Sequence, residues 1–185
     1  MTDVVLAAVL GVLGGIALTV LLLLARRLAR GAADLGSEGE QAALRALHHA
    51  SLAAPHLRAG LSAPEVVKAA RHLRVLLGSA AVAIVAADDT VSFDGAPDGL
   101  EAAAVRIASR VRESGRRQVF PSQAADDLLE GVGAPIVVDG HVIGVVVAFA
   151  APVRAALVRA AEEVADWCAA QVELGGLDAS RTQLA

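Results

Sequence analysis

The chain has 185 residues, a formal charge of −4, one cysteine, one tryptophan and no tyrosine. That length allows one domain with its own core and excludes two comfortable ones. The single cysteine excludes an intramolecular disulfide and suits a reducing cytoplasm, and the mildly acidic balance offers no nucleic-acid footprint.

Residues Val4 to Ala25 carry no charged side chain. As a helix rising about 1.5 Å per residue, they would extend about 33 Å, enough to cross a hydrocarbon core of about 30 Å. Arg26, Arg27 and Arg30 follow, while only Asp3 precedes. That bias predicts a single-pass anchor in the cell membrane, with the N-terminus outside and the rest cytoplasmic. A cleaved signal peptide would carry its positive charge before the apolar run. Gly11 and Gly15 form a GxxxG, which lets two membrane helices approach closely.

Residues 26–60 read as a juxtamembrane connector and a first helix, with Leu44 and Leu47 on one side and Pro55 expected to end it. Ser62-Ala63-Pro64-Glu65 has the form of a capping box. The helix behind it repeats Val66, Ala70, Leu73 and Leu77, and Gly78 stops it. Ala80 to Ala86 reads as a buried strand, Asp88-Asp89 as a turn, and Val91 to Phe93 as a second strand. Leu100, Ala104, Ile107 and Val111 mark another amphipathic helix, ending near Gly115. Gln118 to Phe120 is a short strand.

The segment APIVVDGHVIGVVVAF predicts a hairpin, because Asp139-Gly140 suits a type I′ turn. Gly144 predicts a bulge or a close backbone approach. From Pro152 a last helix carries a weak heptad stripe of Val153, Leu157, Ala160, Val164, Trp167, Gln171 and Leu174. Gly175-Gly176 are expected to interrupt it.

Catalytic chemistry has no signature here. GxSxG is absent, Gly131-Val132-Gly133 is no phosphate loop, and no catalytic residue is assigned. His48, His49 and His56 lack an acidic or thiol partner nearby, so no metal set is predicted and they read as polar residues of a connector helix. His141 follows the turn and reads as solvated. Cys168 has Glu162, Glu163 and Asp166 for neighbours, which oppose a reactive thiolate. Asp88-Asp89 and Asp126-Asp127 read as turn and cap residues.

The order of elements is an α+β plan: helices segregated from a mainly antiparallel sheet, and a long exit helix. Four segments carry a likeness to a known family: GEQAALRALHHASLAAPHLRAGL, AAVAIVAADD, the hairpin, and LVRAAEEVADWCAAQVELGGLDASRTQLA. Together they resemble the sensory half of LytS-type actinobacterial sensor histidine kinases, a membrane helix followed by a GAF-like domain. The resemblance implies an anchor at 4–25, a connector at 26–60, a GAF-like core at 61–151 and a signalling helix at 152–185. It also implies a downstream kinase core and a response regulator as partners. The phosphoacceptor and ATP-lid motifs are absent from these residues.

By analogy with GAF modules, a small ligand would lie against Val82, Ile84, Phe93, Leu128 and Val147; alternatively these residues form plain core. No cofactor is implied. A homodimer is expected, its seam formed by Leu44 and Leu47 with Val164, Trp167 and Leu174. The competing reading is a membrane-tethered GAF-like interaction module without ligand or kinase activity.

Overall fold

The computed structural model describes residues 39–96, 99–121 and 129–183. The apolar run 4–25 and Leu128 lie outside these residues. Among those described, no helix is long and apolar enough to cross a membrane. The chain divides into two units, Met1–Arg45 and Ala46–Ala185. In the first, residues 39–45 are helical and Leu44 is exposed.

The second unit opens with α1 (46–58) and α2 (Val66–Leu77). Strands β1 (Ala81–Ala86) and β2 (Val91–Gly95) follow, then α3 (Leu100–Ser114) and β3 (Gln118–Phe120). The hairpin β4 (Glu130–Val138) and β5 (His141–Ala150) leads to α4 (Ala155–Gln183). The five strands form one sheet in the order β2-β1-β5-β4-β3, every pairing antiparallel.

Side chains alternate between the two faces of a strand. Val82 and Ile84 of β1, Val132 and Ile136 of β4, and Val146 of β5 therefore share one face. They pack with Leu57 of α1, Leu73 of α2, and Val164 and Cys168 of α4. Ala83, Val85, Val145, Val147 and Phe149 point the other way, against Ile107 and Val111 of α3. The result is three layers with the sheet in the middle. It explains why β1 reads AVAIVA without alternation: every residue is buried, half of them on each face. Each fully buried valine contributes about 1.5–3 kcal/mol over an exposed one.

Polar contacts fix the edges of these layers. Arg74 Nε donates to Asp94 Oδ2 at 2.6 Å and Arg71 Nε to Asp94 Oδ1 at 3.3 Å, joining α2 to β2. Burial works against the Asp94 carboxylate, but the two guanidiniums overcome it and hold its pKa below the usual range. Arg112 of α3 pairs with Asp89 in the β1–β2 turn and donates to the Ala87 carbonyl at 3.1 Å.

The turn at Asp139-Gly140 has φ of 50° and 75°, as a type I′ turn requires. Ile136 pairs with Gly144 and Val137 with Val142, which leaves Ile143 as a bulge beside Gly144. A Cβ on Gly144 would stand 2.6 Å from Leu61 Cδ1, so this glycine serves both the bulge and the close approach.

Four local readings of the sequence change. The first helix continues through Pro55 to residue 58, because Leu57 is fully buried in the core beyond it. Ser62 caps no helix; its hydroxyl donates to Asp88 Oδ2 at 2.8 Å, and α2 starts at Val66. β4 starts at Glu130 rather than near Pro135. Finally, α4 runs unbroken through Gly175-Gly176. A side chain at Gly175 would overlap the Arg58 carbonyl, so that glycine lets α1 and α4 touch rather than ending a helix.

Candidate functional site

A cavity of about 380 Å³ opens between α3 and the β3–β4–β5 end of the sheet. Its size lies within the range of small-molecule pockets, roughly 300–1,000 Å³. The helical spacing of α3 brings Leu100, Ala103, Arg106, Ile107, Arg110 and Glu113 to the wall. Phe120, Leu129, Gly131 and Phe149 contribute from the sheet side. Gly131 keeps the floor open, since a Cβ there would stand 2.5 Å from Ile107 Cδ1. Gly133 acts likewise further along α3, where a Cβ would meet Val111 Cγ2 at 2.7 Å. The Arg110 guanidinium lies 6.0 Å from the centre of the Phe120 ring. The cavity thus combines an apolar base with two guanidiniums and one carboxylate on its rim. Such a lining suits a small molecule with an apolar body and an anionic group.

The five residues expected to line a ligand site divide between the two faces of the sheet. Val82 and Ile84 sit in the core shared with α1, α2 and α4. Phe93 and Val147 sit on the α3 face, outside the cavity wall. Leu128 lies outside the described residues. Sequence reasoning missed Arg106, Arg110, Phe120 and Phe149. The arginine pair four apart on the amphipathic α3 was the available signal.

The expected seam residues also separate. Val164 is only 7% exposed and packs in the subunit's own core, so it is not on a free face. Trp167 is half-buried against that core. Leu47 is 68% and Leu174 44% exposed. Leu52 and Leu177, which the sequence reading passed over, are exposed as well. Beyond Gly175, residues 176–181 of α4 are all exposed.

Among the described residues, no group of three or more histidine, cysteine, aspartate or glutamate side chains could hold a metal ion. His49 Nδ1 of α1 lies 3.4 Å from His72 Nδ1 of α2. Burial lowers the pKa of His72, and His49, His56, Arg71 and His48 add to the effect. Cys168 is fully buried, and desolvation pushes its pKa up to about 12. That thiol is a packing residue, not a nucleophile.

No protein-family model and no curated protein matches the chain. Solved structures do match. The nlh2 GAF domain of A. aeolicus, in an inactive state, aligns with a TM-score of 0.51 at 14% identity, over 72% of this chain and 98% of that one. The free methionine-R-sulfoxide reductase of Neisseria meningitidis, in complex with its substrate, aligns with a TM-score of 0.53 at 17% identity, over 75% of this chain and 93% of that one. At such identities the likeness is one of fold: the chain has a GAF-like fold, with a five-stranded antiparallel sheet between helices.

Proposed function

We propose that the chain is the membrane-anchored, cytoplasmic sensory region of a two-component sensor histidine kinase. It acts as a homodimer, and α4 relays its state to a kinase core that signals to a response regulator. One observation carries this reading: α4 follows the β4–β5 hairpin closely, packs along the sheet, and then continues past Gly175 with residues 176–181 exposed. A helix rooted in a core at one end and exposed to solvent at the other can transmit a change in packing. A ligand that binds one packing better than another shifts the population toward it. The cavity under α3 supplies a place for such a ligand, and the sheet connects it to the face on which α4 lies.

The anchor is the uncharged run Val4 to Ala25 followed by three arginines. The test is the full chain fused at its C-terminus to a fluorescent protein and expressed in bacteria. The expected outcome is a fluorescent fusion that stays with membranes through an alkaline carbonate wash and cross-links to a second copy. Release into the wash with an intact N-terminus would contradict the anchor. The interaction-module reading is favoured by the exposed Leu47, Leu52, Leu174 and Leu177, which suit a partner protein as well as a second copy. Cross-linking to another protein with no self-pairing would select that reading.

A further inference from the structure

The two imidazoles that meet between α1 and α2 are within reach of one long hydrogen bond, with donor and acceptor set by tautomer, and their spacing also fits a second role. Their Nδ1 atoms are 3.4 Å apart, longer than the common 2.7–3.2 Å separation of an N–H donor and its acceptor, so the bond between them is a weak one. Two nitrogens that bind one tetrahedral zinc at about 2.05 Å stand about 3.3–3.4 Å from each other. The ring centroids are 5.7 Å apart with planes inclined by 40°. Both rings are half-buried, so each is held by its helix while one side stays open to solvent.

We propose that His49 and His72 bind a divalent transition metal of the zinc class and so pin α1 to α2. Two imidazoles supply two positions, and water completes the set, because no third ligand stands with them among the described residues. Imidazole nitrogen suits zinc, nickel and copper and does not suit magnesium or calcium. The ring centroid of His48 lies 5.7 Å from that of His49. The pair is 23 residues apart, so α1 and α2 must pack before the site exists. Metal would therefore report on, and reinforce, the docking of α1. This inference is independent of the sensory reading.

The experiment is titration of the 185-residue chain, purified in detergent and stripped of metal, with zinc chloride and with cobalt chloride. The expected result is one ion per chain, a tetrahedral cobalt spectrum and a higher melting temperature, with no response to magnesium. His49→Gln and His72→Gln should each weaken binding by about tenfold or more, while His141→Gln leaves it unchanged. A readout that needs no variant is ring nitrogen NMR, in which zinc should move the signals of His49 and His72. Absence of any zinc response up to about 1 mM would overturn the proposal, as would full affinity in the His49→Gln/His72→Gln double variant.

Discussion

Gly175 and Gly176 are neighbours on α4 with opposite surroundings. A Cβ at Gly175 would strike the Arg58 backbone, whereas nothing lies within 4 Å of one at Gly176. Gly175→Val should therefore destabilise the fold by about 3 kcal/mol through overpacking. Gly176→Ala should stabilise it by about 0.5–1 kcal/mol through helix propensity. Thermal melting of both variants checks the pair, and equal effects would contradict the close approach of α1. Cys168 should stay unlabelled by a maleimide at about pH 8 and react once the chain is denatured. His72 makes stability depend on pH. Its folded pKa lies below the ordinary 6.5, so the folded state binds fewer protons than the unfolded one in between. The stability it contributes is complete above the ordinary value and falls as pH drops toward the folded one. In metal-free buffer the melting temperature should decline as pH falls below the ordinary histidine value of about 6.5, and His72→Gln should flatten that decline. These residues were the least legible in the sequence. A glycine pair reads as a break, and His72 has no visible partner until α1 and α2 are packed.

Elements were legible where local chemistry decides them. Asp139-Gly140 dictates its turn, Gly78 and Gly115 end α2 and α3 in the left-handed conformation, and AVAIVA is a strand buried on both faces. Boundaries failed where tertiary burial overrode local preference. Pro55 could not stop a helix that places Leu57 in the core, and the sequence reading began the hairpin strand too late because Gly131 and Gly133, which seat α3, carry no strand signal. The heptad stripe of α4 misled at Val164 because the same spacing serves a helix packed on a sheet. Val164→Asp should thus unfold the domain by burying a charge rather than split a dimer. Leu47→Asp and Leu174→Asp should leave the fold intact and weaken self-association. Circular dichroism with sedimentation in detergent separates the two outcomes; a folded, monomeric Val164→Asp would contradict this assignment.

Across the whole molecule, a single sheet separates two helical faces. The cavity lies on the α3 side, while α1, α2 and α4 occupy the other. The α+β plan was readable from the order of elements, but the division of Val82 and Ile84 from Phe93 and Val147 was not. Both faces of the central strands are apolar, so periodicity could not say which face holds the opening. In the proposed relay, a ligand bound under α3 acts on α4 across the sheet, through the strands whose side chains pack on both faces. On that proposal α4 carries the stimulus onward as a rotating or shifting rod. The most direct measurement joins the full chain at Ala185 to a heterologous histidine-kinase core through linkers lengthened one residue at a time. Helical relay predicts autophosphorylation that rises and falls with a period of about 3.5 residues. Output that ignores linker length, or declines steadily with it, would contradict the relay.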